Sequence, residues 1–267
     1  MPAYPLPEVD TTFLLSPETY DKAATEVNDV TNDYGTPNLL FLYYIPFPPE
    51  AVKDDLYALK EELQSWHAYE LEQAERQVHI QINNGNLPTD DSLASRVKRT
   101  NYRAKVIQFL RENSEVWVTM TEEDKTGPKT IVVKKEEANG AIRWELLSRY
   151  ITQGRLPEQF SVILNVINGI IAAEPEADNR YWFSHAYLKY DNGSRTFQPD
   201  IRSSSFTVTQ KDIDEHKDTV SIEFTHADYK WRLDRALWRK QRHLVEDIIE
   251  AGEKIRKEMS FDFFVST

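Results

Sequence analysis

The chain's 267 residues carry 32 Lys and Arg against 44 Asp and Glu, a formal net charge of -12, with 40% hydrophobic residues and eight glycines. That length can bury a core without disulfides or a structural metal, and the composition excludes collagenous, low-complexity and membrane-spanning chains. The negative charge disfavours nucleic acid and anionic membranes as default partners, although a local basic patch can outweigh the mean.

Met1 to Asp10 has neither a basic n-region nor an apolar h-region, so no signal peptide is recognised, nor is a transmembrane helix, and localisation stays open. Ser16-Pro17-Glu18-Thr19 offers an N-cap, a first-turn proline and an acidic first turn, which predicts a short helix ending before Tyr34-Gly35. Leu39 to Phe47 is a concentrated apolar and aromatic run, far shorter than the roughly 20 residues of a spanning helix. It reads as a buried central strand stopped by prolines, with a surface-active or partner-binding segment as the alternative.

Val52, Leu56, Leu59, Leu63 and Trp66 recur at steps of three and four, predicting a long helix from Pro49 to about Ile82. Thr89-Asp90-Asp91 then caps a second helix reaching about Asn113, so the two form an αα-hairpin, a helical subdomain over 49–114 within a single domain of 1–267. Glu115–Met120 and Lys129–Lys134 read as a hairpin around Asp124–Pro128. Helical patterns follow at Ile142–Ile151 and Pro157–Ala173, the second apolar nearly all round and expected to be the most buried helix.

Arg180–Tyr190, Ser204–Gln210 and Thr219–His226 read as strands, with a hairpin turn at Asp191-Asn192-Gly193. A last helix is expected from Tyr229 to about Met259, followed by an apolar tail or edge strand over Phe261–Val265. The fold class expected is α+β: an N-terminal αα-hairpin, a mainly antiparallel sheet and a long C-terminal helix.

Motifs are scarce. No two glycines lie closer than thirteen residues, so phosphate loops, dinucleotide fingerprints and nucleophile elbows cannot form in standard shape. The chain has no cysteine, and its six histidines are never closer than ten residues, so short zinc motifs are absent. Neither a cofactor nor a metal is expected. Asp212-Ile213-Asp214-Glu215-His216-Lys217-Asp218 is rich in oxygen ligands but lacks the EF-hand spacing and reads as a solvated loop. Asn192-Gly193-Ser194 is formally a glycosylation acceptor but reads as the hairpin turn.

The sharpest local pattern is Arg232, Arg235, Arg239 and Arg242, which on a helix line one face with Trp231 and Trp238 beside them. Such a face suits phosphate or lipid headgroups, because guanidinium forks match phosphate oxygens and indoles settle at lipid boundaries. Pairing with the chain's many acids is the simpler reading. Arg96, Arg99 and Arg103, near Lys98 and Lys105, form a second basic face. For catalysis the candidates are His185 and His226, beside Ser184, Tyr187, Glu223 and Asp228, since a carboxylate-oriented imidazole can serve as a general base. A core histidine is the simpler reading.

Two classes of function remain open. One is a non-catalytic interaction protein, in its most specific form a soluble, membrane-active, toxin-like protein that stores Phe160–Ala173 and Leu39–Phe47 in its core and exposes them to lipid. Its partner is then a membrane surface or another protein, with nucleic acid disfavoured and oligomerisation open; a protein-binding assembly subunit is the plainer version. The other is a metal-independent hydrolase or transferase using a strand histidine.

Overall fold

Leu39–Pro46 forms β1, buried at every position except Tyr44. Burial on both faces is what an unbroken apolar run demands, and it makes β1 an interior strand of a sheet covered on both sides. The computed structural model describes residues 6–10, 33–113, 117–150, 158–173, 179–214 and 218–265; the short helix expected after Ser16 lies outside them. Asn179–Asp191 (β3) and Ser260–Val265 (β6) flank β1, both running parallel to it. Thr196–Asp214 (β4), Thr219–Leu233 (β5) and Val118–Lys134 (β2) add antiparallel strands, in the order β2-β5-β4-β3-β1-β6.

Alternation along each strand divides the sheet between two helical layers. Leu39, Phe41, Tyr43 and Ile45, with Trp182, Ile201 and Trp231, share one core with Lys53–Asn83 (α1), Leu93–Asn113 (α2) and Glu246–Glu258 (α6). Leu40 and Leu42, with Tyr181, Phe183, Phe206 and Phe224, share a second core with Ala138–Tyr150 (α3) and Glu158–Ala173 (α4). The architecture is a mixed α/β sandwich, helices over both faces of one sheet.

Three expectations are corrected. The sheet is mixed rather than mainly antiparallel, because β1 takes parallel neighbours on both sides. The long C-terminal helix does not exist. Trp231 and Leu233 are buried while Arg232 is exposed, so 229–233 has period two and prolongs β5. Asp234 then caps a short helix, Arg235–Gln241 (α5), accepting from the Leu237 amide at 2.9 Å, and a 3-10 turn over Arg242–Val245 separates it from α6. In place of the expected hairpin, Val118–Lys134 is one long strand, β2, paired along its length with β5; Gly127-Pro128 sits in a register shift between Thr126 and Lys129 and bulges the strand instead of reversing it.

Helix burial also differs from the reading of the sequence. Val166 on α4 is 40% exposed, whereas Trp66 to Glu75 of α1 is buried at every position, because α1 lies against the sheet with α2 and α6 around it. The tightest contact is between backbones: a Cβ on Gly252 of α6 would stand 1.9 Å from the Ala68 carbonyl oxygen of α1. No rotamer relieves a clash with main chain. Gly252→Ala is therefore expected to destabilise the protein by more than about 3 kcal/mol in urea unfolding, as overpacking against backbone does; a loss below about 1 kcal/mol would show that α6 can slide off α1 freely.

Candidate functional site

The arginine series does not form one face. Arg232 is exposed on β5, Arg242 is exposed in the 3-10 turn, and Arg235 and Arg239 of α5 each donate at 2.7 Å to the Glu62 carboxylate of α1. Trp231 and Trp238 are buried, their indole N–H groups donating to Ser203 Oγ at 2.8 Å and Ser65 Oγ at 3.1 Å. Trp238 meets Tyr69 and Trp117 edge-on. These groups clamp α5 onto α1 and pack the core beneath it.

The second basic face divides, Arg96 lying part-exposed 3.7 Å from the Asp91 carboxylate while Arg99 and Arg103 turn inward. Arg99 donates to both oxygens of Asp33, at 2.9 and 2.8 Å, and Arg103 donates to Asp33 at 2.9 Å and to Glu75 at 2.5 and 2.9 Å. Arg111 forks onto Glu70 through two 2.8 Å bonds, donates to Ser184 Oγ at 3.1 Å, and lies over the rings of Trp66 and Trp182 at 4.6 and 4.9 Å. All three guanidiniums are sealed from solvent. Against the upward push of burial, Arg103 and His79 hold the Glu75 carboxyl down at about 2. The sequence reading missed this spine. Its one visible signal is reciprocal spacing, with Glu70 and Glu75 on one helix answering Arg111 and Arg103 on an antiparallel neighbour.

The histidine candidates sit on the opposite side of the sheet. His185 shares a face with Tyr44, Tyr187, Arg202 and Asp228, whereas Ser184 and Glu223 point the other way. The Tyr44 hydroxyl lies 3.1 Å from His185 Nδ1, and the Tyr44 ring stacks on Tyr187 at 4.3 Å. Burial lowers the His185 imidazole to about 4, with Arg202 pushing the same way and Asp228 opposing. Burial also raises both phenols, so Tyr44, Tyr187 and His185 are all uncharged at neutral pH. An imidazole held near 4 is a weak base for neutral-pH catalysis. His226 faces α3, its Nε2 3.8 Å from Glu145 Oε1, and Lys129 of β2 bonds the same carboxylate. Among the described residues no cluster of His, Asp and Glu is placed to hold a metal; most of the acidic loop after Lys211 lies outside the described side chains.

The remaining site is the α3–α4 layer. Ile163, Leu164, Ile167 and Ile170 turn α4 onto the sheet core, while Asn165, Val166 and Gly169 face water. No charged residue occurs between Gln159 and Ala173. On α3, Trp144 is 72% exposed beside the buried Glu145. Thus α4 is apolar within and uncharged outside from Gln159 to Ala173, and Glu145 ties α3 to β2 and β5.

No protein-family model matches the chain, and no curated protein sequence does. Among solved structures, the Evf virulence factor is similar with a TM-score of 0.47 and 12% identity, over 97% of this chain and 96% of that one. A delta-endotoxin is similar with a TM-score of 0.29 and 9% identity, over 87% and 91%.

The buried histidines set a pH dependence. His67 of α1, wholly buried, meets the Tyr43 hydroxyl at 2.6 Å through Nδ1, and burial followed by Arg111 and Arg256 holds it well below the ordinary imidazole value. Both His67 and His185 take up a proton more readily in the unfolded chain, so the stability that each contributes falls as pH drops below about 6.5, for His185 until about pH 4. For His185 alone the loss is on the order of 3 kcal/mol. His185→Gln should flatten urea-unfolding stability between pH 6.5 and 4 relative to the parent; an unchanged slope would mean that His185 is not held neutral.

Proposed function

We propose that the protein is a non-catalytic, membrane-active protein of toxin-like type, in which the α3–α4 layer lifts from the sheet and lays the apolar face of α4 on lipid. One observation carries the reading: a water-facing helix normally displays charge on its outer face, and α4 has none from Gln159 to Ala173. Both faces of α4 therefore tolerate a lipid boundary, where Trp144 on α3 would sit among headgroups.

The sixteen residues of α4 span roughly 24 Å, less than the hydrocarbon thickness of about 30 Å. No described helix is long and apolar enough to cross a membrane, so α4 is read as an interfacial or shallowly inserted element. The separate core beneath α3 and α4 supports release, because the α1, α2 and α6 side keeps its own packing when this layer departs. By contrast, β1 is hydrogen-bonded between β3 and β6 and is not a segment that can leave. The Arg and Trp groups around α5 are structural in this reading, with exposed Arg232 and Arg242 left as minor headgroup contacts.

Liposome co-sedimentation and dye release, on neutral and anionic vesicles, provide the test. Asn165→Glu/Val166→Glu places two charges on the exposed face of α4, away from the core, so the melting temperature should hold while binding and leakage fall at least tenfold. Parental leakage by the double variant, or no lipid binding by the parent under any condition, would overturn the reading.

A further inference from the structure

Among the described strands β2 lies at one edge of the sheet, and no described residue hydrogen-bonds its outer side. It is seventeen residues long, its described side chains from Thr119 to Thr130 are exposed, and Val132 is 59% exposed. A long open edge of this kind is a template for another strand. The opposite edge, β6, is six residues long, and Asp262 on it is held by Lys60 of α1.

The charge on β2 is polarised. Glu122, Glu123 and Asp124 precede the Gly127-Pro128 bulge, and Lys129, Lys134 and Lys135 follow it. We propose that β2 pairs antiparallel with β2 of a second copy, about a two-fold axis between Pro128 and Lys129. Around that axis Glu122 lies opposite Lys135 and Glu123 opposite Lys134, while the stem of Lys125 covers exposed Val132. Parallel pairing in register sets acid against acid and lysine against lysine, so the charges select the two-fold arrangement.

Pro128 has no amide hydrogen to donate and stands at the crossing point, leaving the two arms to pair on either side. Lysines and a proline ordinarily guard an edge against foreign strands, but here each basic run has an acidic run at the matching distance across the axis. Within one copy Glu122 pairs with Lys230 at 3.2 Å, Glu123 with Lys125 at 2.5 Å and Lys134 with Glu136 at 3.9 Å, all of them exposed. Such pairs contribute little and exchange readily. A single strand edge buries less than a standard interface, so the dimer is weak, with a Kd in the micromolar range or above. It stands independently of the membrane reading.

Sedimentation equilibrium from about 1 to 300 µM at low salt should show a monomer–dimer transition that weakens as salt rises. Glu122→Lys/Glu123→Lys sets lysine against lysine across the axis, and Lys134→Glu/Lys135→Glu sets acid against acid. Each variant should be monomeric with an unchanged melting temperature, and an equimolar mixture of the two should recover a dimer. A parent that stays monomeric at 300 µM overturns the proposal, as does a dimer that survives either variant alone or a mixture that fails to associate.

Discussion

Arg111 joins three parts of the molecule at one buried point. From α2 it forks onto Glu70 of α1, donates to Ser184 of β3 and stacks between tryptophans of α1 and β3. A guanidinium sealed from water has a large desolvation cost, and only near-complete pairing offsets it. Arg99 and Arg103 repeat the arrangement further along α2 with Asp33 and Glu75. A shift of α2 by one turn along α1 would strand several buried charges together, so the register of the pair is fixed more sharply than apolar packing alone would fix it. Gly252 does the same for α6 by sterics, since only a bare α-carbon fits against the Ala68 carbonyl.

The other face of the sheet is built differently. Its core is aromatic and aliphatic, and among the described side chains the polar ties from α3 run through Glu145, to Lys129 and toward His226. Apolar contacts are non-directional and can be exchanged for lipid contacts at small net change, whereas the Arg111 and Arg103 pairs have no equivalent partners in a membrane. One side of the sheet is thus committed to a single arrangement, while on the proposed reading the other trades its cover. This asymmetry, more than any single residue, supports release of the α3–α4 layer.

The same contrast explains what could be read from the sequence. Local, periodic features were legible: β1 as a buried strand, the two long helices before Asn113, and the turn after Asp191, where the carboxylate accepts from the Gly193 and Ser194 amides. Features that depend on distant partners were not. The parallel seating of β1 is decided by β3 and β6, far along the chain, and leaves no mark on β1 beyond its apolarity. Arg232, Arg235, Arg239 and Arg242 mimic a helical stripe because basic residues at steps of three and four occur there across a strand end, a cap and two short helical turns. Glu62, the partner of Arg235 and Arg239, lies some 170 residues away and has no local signature. The histidines were correctly placed on strands, but alternation put Ser184 and Glu223 on the far face, and burial took His185 out of the range useful for a base.

Acid acts on this design from both sides of the sheet. His67 lies on the α1 side, its ring against Phe41 and Trp66, its Nδ1 at the Tyr43 hydroxyl and its Nε2 without a hydrogen-bond partner. Protonation there adds a third positive charge to a site that already faces Arg111 and Arg256. His185 lies on the α3–α4 side, where a proton meets Arg202 but also the opposing carboxylate of Asp228. The cost of charging is shared between the faces, yet the resistance to movement is not. On the α1 side, Arg103 and His79 hold the Glu75 carboxyl down at about 2 against the push of burial, so the Arg103–Glu75 pair outlasts the fall in pH, whereas burial pushes the Glu70 carboxyl up. On the other side the described ties are apolar contacts and the Glu145 carboxylate, so on the proposed reading falling pH should loosen α3 and α4 before it parts Arg103 from Glu75.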